Sequence, residues 1–159
     1  MKQKIITNTS PIILLAKLNA LHLLRRYQVI IPASVTEEIF TKESWENDRI
    51  RKFLKNDFVE EHPLGVGASS TNLGRGEMSA IRLAIMLKAR IVILDDRKAI
   101  INAEYHDLTP KGTIWIIMQA YRKKDITKKE AGELIMTLPS VGFHMSNGVF
   151  AEAVRRLKL

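Results

Sequence analysis

Arg90-Ile91-Val92-Ile93-Leu94-Asp95-Asp96-Arg97 is the stretch that decides the fold. Its apolar core is short and mostly β-branched, which fits a strand buried on both faces, as strands are in a parallel sheet. Two aspartates stop it, and a helical period resumes from about Arg97 to Tyr105. Buried strand, polar turn, then helix is the unit from which α/β domains are built.

The same unit recurs on either side. Ile5-Ile6-Thr7 reads as a first strand, after which Ser10 and Pro11 form an N-cap and N1 pair opening a helix with Ile13, Leu14 and Lys17. Asn19 is then expected to cap a short helix through Leu24. Val29-Ile30-Ile31 is a second strand ending at Pro32, and Ser34 with Glu37 has capping-box spacing before a helix from about Val35 to Phe40. Glu46 to Asn56 carries Ile50, Phe53 and Leu54 on one side, as an amphipathic helix does. Phe58-Val59-Glu60 reads as a short strand, and residues 62–74 have the Gly, Pro and Ser content of a loop, placing Arg75 at its end. Glu77 to Leu87 has a helical period, Leu108 to Lys111 is a weak strand, and Thr113 to Arg122 is helical. Thr127 and Glu130 repeat the capping box before Ala131 to Leu138, and Ser146 or Asn147 opens a last helix to Arg156. The expected architecture is α/β with a central, mainly parallel sheet.

Length and composition narrow the class. The 159 residues, 46% hydrophobic and 26% charged, suit one domain spanning 1–159 with a single well-formed core. The absence of cysteine excludes a disulfide framework, a thiolate nucleophile and a Cys-ligated zinc or iron–sulfur site, and it points to a cytoplasmic location. The apolar run after Lys2 and Lys4 is interrupted from Thr7 to Pro11, unlike a secretory signal, and nothing approaches a membrane span. A net charge of +8 favours a polyanionic partner.

Chemistry in an open α/β sheet gathers beyond the carboxyl ends of the strands. Asn8, Glu37 and Glu38, Glu77, and Asp95 with Asp96 all follow strands or open the helices after them. Right-handed crossovers would bring these positions to one edge. Each also has a plainer role: Glu37 as the capping partner of Ser34, Glu38 as solvated surface, Glu77 in a first helical turn, and Asp96 as an N-cap. Asp95 is the hardest to assign to structure alone. Carboxylates about 4 Å apart repel by roughly 4 kcal/mol at an effective dielectric near 20, so a real cluster must protonate or hold a cation. Oxygen donors, with His22, His62, His106 and His144 at no shared spacing, point to Mg²⁺ or Mn²⁺ rather than zinc. Acids that hold a metal on a basic chain that holds phosphates would suit a nuclease. Arg97 and Lys98 beside the aspartates, and Arg75, are the candidate phosphate contacts.

Four ordered motifs resemble the PIN-domain family. Thr7-Asn8-Thr9-Ser10-Pro11-Ile12-Ile13 is similar to its amino-terminal signature, and Ile31-Pro32-Ala33-Ser34-Val35-Thr36-Glu37-Glu38-Ile39 to its second motif. Gly76-Glu77 with Ala80-Ile81 and Leu83-Ala84 resembles the third, and Ile93-Leu94-Asp95-Asp96-Arg97 the fourth. The segment from Gly142-Phe143 to Arg156 is similar to a subgroup related to VapC toxins. The resemblance implies a three-layer α/β/α domain with added C-terminal helices over about 126–159. It implies a Mg²⁺- or Mn²⁺-dependent ribonuclease, often a toxin paired with a small antitoxin protein, and a homodimer. Position by position, Glu38, Glu77 and Asp95 match the acidic metal ligands, with Asp96 the fallback for the last, and Ser10 matches a supporting hydroxyl. Asn8 stands where the family has an aspartate: its amide oxygen can ligate Mg²⁺ but brings no charge. That departure leaves a second expectation open, a catalytically weak or inactive PIN-like module that binds RNA or a partner. A receiver-like signalling domain, which would want an acidic pair after strand one, ranks below both.

Overall fold

The computed structural model describes residues 1–64, 72–144 and 146–158. Its centre is a five-stranded sheet in the order β3-β2-β1-β4-β5, with every neighbouring pair parallel. The strands are β1 (Gln3–Thr7), β2 (Tyr27–Pro32), β3 (Val59–His62), β4 (Ile91–Ile93) and β5 (Thr109–Lys111). The helices are α1 (Thr9–Lys17), α2 (Ala33–Thr41), α3 (Asn47–Leu54), α4 (Arg75–Met86), α5 (Arg97–Tyr105), α6 (Thr113–Arg122), α7 (Lys128–Thr137) and α8 (Asn147–Leu157).

Side chains alternate between the faces of a strand, so adjacent apolar residues feed two separate cores. Ile5, Val29, Ile31, Ile91 and Ile93 join a core built with α1, α3, α6 and α7. Ile6, Ile30, Val92 and Leu94 point the other way, onto Ala80, Ile81, Leu83 and Ala84 of α4 and Ala99 and Ala103 of α5. Helices therefore cover both faces, which makes the three-layer α/β/α architecture. The alanines let α4 and α5 lie close to the sheet. No helix among the described residues is long and apolar enough to cross a membrane.

The strand order creates the site. The chain steps outward from β1 to β2 and β3, then returns to place β4 against the other side of β1. Connections leave β1 and β4 in opposite directions, which opens a crevice at their carboxyl ends. Thr7 is in register with Ile93, and the Asn8 N–H donates to the Ile93 carbonyl at 3.3 Å, so Asn8 and the pair Asp95-Asp96 emerge side by side.

The α5 and α6 boundaries, the Thr127–Glu130 capping box and the Ser146 cap agree with the sequence reading. Four local expectations are corrected. Asn8, not Ser10, occupies the N-cap of α1, leaving Ser10 exposed at the second helical position. Pro11 is tolerated one residue further in because first-turn N–H groups have no helical partner. Asn19 ends α1 instead of starting the next element: it has φ 53°, its N–H donates to Ala16 and that of Ala20 to Leu15, the paired bonds of a left-handed C-terminal cap. Ser34 does not cap α2, since it is buried and donates its hydroxyl hydrogen to Ser79 of α4 at 2.5 Å. Arg75 belongs to the first turn of α4, and the loop expected at 62–74 falls partly on 65–71, outside the described residues.

Candidate metal centre

Asn8 stands at the crevice where β1 ends; it is 2% exposed, and its Oδ1 has no hydrogen-bond partner among the described residues. A buried carbonyl oxygen left unpaired costs about 1–3 kcal/mol, so this one is open to an ordered water or a cation. Thr9 adds a second buried orphan, its Oγ1. Thr9 is the candidate the sequence reading missed. Its signal was available: a hydroxyl at the first helical position after a buried strand has no helical carbonyl behind it to bond.

Glu38 and Glu77 come from α2 and α4, which pack against each other. Gly76 makes the approach possible. A Cβ at Gly76 would lie 2.6 Å from Glu38 Oε2, 2.9 Å from Thr9 Oγ1 and 3.4 Å from Val35 Cγ2. The Ser34–Ser79 bond ties the same two helices a turn away and helps fix their register. Glu77 has the capping role as well: Oε2 accepts the Gly74 N–H at 3.0 Å, while residue 74, a glycine, cannot return the bond.

Glu77 carries the electrostatic signature of the cluster. Burial raises its pKa, the Gly74 N–H opposes this, and the charges of Asp96 and Glu38 raise it further. Glu77 thus feels two other carboxylates across the crevice. The three are not drawn tightly together: among the described residues, no three Asp, Glu or His side chains stand close enough to hold a metal ion.

The two aspartates divide their work. Asp95 is largely buried, with Oδ1 accepting the Thr113 N–H at 2.8 Å and Oδ2 the Thr113 hydroxyl at 2.6 Å. Gly112 offers no cap to α6, and Asp95 supplies one from another strand. Burial raises its pKa, against the lowering effect of both Thr113 bonds. Asp96 is exposed and caps α5 through Oδ2 to the Ala99 N–H at 3.1 Å. Its Oδ1 makes no hydrogen bond among the described residues, and its charge acts on Glu77.

The surrounding cations differ in availability. Arg75 lies 3.9 Å from Glu37 on the exposed rim. Arg155 and Arg156 both bond Glu152. Arg97 and Lys98 are exposed in the first turn of α5, and neither makes an ion pair among the described residues.

The candidate donors are all oxygens: the carboxylates of Glu38, Glu77 and Asp96 and the amide oxygen of Asn8, unpaired among the described residues. That set fits a hard divalent cation. One pH prediction follows from Glu77. Its folded pKa is raised, so the native state binds more protons than the unfolded chain between the two values. Stability therefore falls as pH rises from the unfolded to the folded pKa, and the penalty persists at neutral pH. Glu77→Gln is expected to stabilise the protein at pH 7 in EDTA by less than about 1 kcal/mol, read as a higher melting temperature, because the group is only partly buried and screened. The gain should vanish in acid, where both proteins are uncharged at residue 77. A gain unchanged by acid would remove electrostatic repulsion as its cause.

Neither the curated proteins nor the solved structures give a match to this sequence. A family model described as a PIN domain matches residues 4–159, nearly the full sequence. PIN domains are generally metal-dependent nucleases that bind RNA, and the parallel sheet with acids gathered at the β1–β4 crevice agrees with that fold. The chain belongs to the PIN-domain family.

Proposed function

We propose that the protein is a Mg²⁺- or Mn²⁺-dependent endoribonuclease, the cytoplasmic toxin half of a VapBC-like pair restrained by a small antitoxin. The observation that supports this reading is the buried Asn8 Oδ1, unpaired among the described residues, at the end of β1 next to the turn carrying Asp95 and Asp96, with Glu38 and Asp96 both acting on Glu77. Asn8, Glu38, Glu77 and Asp96 would hold the metal. Asp95 takes a positioning role by fixing α6 to the end of β4, because both its oxygens are committed to Thr113. Ser10 on the exposed first turn of α1 and Arg75 on the rim stand as outer contacts to the strand.

The cation, when bound, supplies positive charge to the phosphoryl oxygens and acidifies water beside it. Arg97 and Lys98 hold the phosphate chain and set its register. Glu38 and Asp96, both exposed, have the rotamer freedom to move inward once repulsion is neutralised. Hydrolysis adds water across one P–O bond, leaving a phosphate on one fragment and a hydroxyl on the other.

A symmetric dimer fits the surface. The apolar faces of 11–24 and 46–53 are spent inside the chain through Ile12, Leu15, Leu24, Ile50 and Phe53. Ile85, Met86, Ile101 and Tyr105 on α4 and α5 are instead 45–83% exposed. Ile85→Glu with Tyr105→Glu is expected to convert the dimer to monomer in sedimentation. An unchanged mass would place the contact elsewhere.

The deciding experiment is cleavage of a mixed RNA pool with Mg²⁺ or Mn²⁺, beside EDTA. Asp96→Asn and Glu38→Gln are expected to lower the rate at least about 100-fold, since even groups that only orient ligands are worth 10–100-fold. Asp95→Asn, which keeps an acceptor for the Thr113 N–H, should lose about 10-fold or less. Rates unaffected by EDTA or by Asp96→Asn would sink the metal-site assignment. The second reading, an RNA-binding module that does not cut, is favoured by the uncharged Asn8 and predicts binding without cleavage under every condition.

A further inference from the structure

A groove of about 940 Å³ borders the acid cluster and extends between α1, α6 and α8. It shares Asp95, Asp96 and Arg97 with the crevice, and its walls are mainly apolar, with Leu14, Trp115, Phe143 and Val149 among them. The far wall exists because α8 docks by one face only. Ala153 and Leu157 are buried in the main core and Phe150 packs against it, whereas Val149 stays 50% exposed toward the groove.

The charges around this groove are largely spent. Arg156 and Arg155 are held by Glu152, and Asp95 by Thr113. Arg97 remains as an exposed cation without an ion pair among the described residues, set between the acids and the apolar walls. The complementary ligand has an anion at that point and a flat, apolar group extending beyond it. A nucleotide with its base out of the stack meets both requirements.

We propose that this groove is a nucleobase subsite: the nucleotide beside the phosphate held at the acids inserts its base between α6 and α8, with its phosphate on Arg97. The proposal rests on the nuclease reading for the position of that phosphate. Duplex bases are paired and stacked, so the subsite would select single-stranded RNA, the form in which bases can be splayed onto protein surfaces. Aromatic walls tolerate any base, so the contribution is to affinity more than to sequence choice.

The test is fluorescence anisotropy with a labelled, mixed-sequence single-stranded RNA 12-mer, with Ca²⁺ in place of Mg²⁺. Val149→Trp fills the groove from an exposed position and is expected to weaken binding about 10-fold, the size of one lost stacking contact. Mn²⁺ affinity and melting temperature should stay as in the unmodified protein. Met136→Trp on α7, exposed and outside the groove, should leave RNA binding unchanged. Arg97→Gln reads the same contact through a side chain with no hydrogen bond or ion pair among the described residues, in case Val149→Trp misfolds. Replacing one central base by an abasic site should reproduce the loss in the unmodified protein and add little in Val149→Trp. RNA binding equal to the unmodified protein in both Val149→Trp and Arg97→Gln would overturn the proposal, and would mark the groove as one for a protein segment. Selective weakening without any cleavage would keep the subsite and reject the nuclease. Absence of RNA binding by the unmodified protein would overturn both.

Discussion

Gly76→Ala is expected to lower Mn²⁺ affinity at least about 10-fold while changing global stability by no more than about 1–2 kcal/mol. The new methyl would sit 2.6 Å from Glu38 Oε2 and 2.9 Å from Thr9 Oγ1, closer than any real carbon stands to oxygen. The Glu38 carboxylate is the far end of a flexible, exposed side chain, so it gives way at small cost and swings from the crevice. Overpacking against Thr9 and Val35 costs roughly 1–3 kcal/mol, and replacing glycine by alanine in the first turn of α4 returns up to about 1 kcal/mol of helix propensity. The damage thus falls on the site more than on the fold. Titration calorimetry with Mn²⁺ and a denaturant melt separate the two. Unchanged Mn²⁺ affinity would show that Glu38 is not held at this seam for a metal.

Asn8→Asp is expected to make stability depend on metal. A carboxylate at a position 2% exposed, at the end of β1 where it emerges next to the turn carrying Asp95 and Asp96, would lose its hydration near like charges. The effective penalty is several kcal/mol per buried ion, relieved in part when the group protonates. In EDTA the variant should melt several degrees lower, since 1 kcal/mol shifts a chain of this size by about 2–4 °C. A cation bound only by the folded state at a hundred times its dissociation constant returns about 2.7 kcal/mol. Mg²⁺ should therefore raise the melting temperature of Asn8→Asp much more than that of the unmodified protein. Equal shifts would mean that residue 8 does not face the ion. The same variant should cleave RNA faster if the missing charge limits activity.

The elements of the fold were legible because each is announced locally. β4 is a short β-branched run between charged residues, and α7 begins at a capping box that the structure reproduces bond for bond. Asp96 was legible as an N-cap for the same reason. Where two local signals competed, neighbours chose between them. Ser34 has the spacing of a cap, but the packing of α2 on α4 put its hydroxyl beside Ser79 and made it a core bond. Asn19 could open a helix or close one, and the paired bonds to Ala16 and Leu15 decided for closing.

The sequence by itself determined the alternation of strand and helix, the basic surface and the all-oxygen donor chemistry, since these depend on residue type and short-range spacing. It could not determine how two adjacent aspartates divide their hydrogen bonds. That division depends on α6, whose unfilled N-terminus 18 residues further on claims both oxygens of Asp95 and leaves Asp96 free on one side. Nor could it show that Gly76 is where Glu38 and Thr9 converge, or that α8 stands off from α6 to leave a groove. These are distances between segments far apart in the chain, and the packing of helices on a twisted parallel sheet sets them.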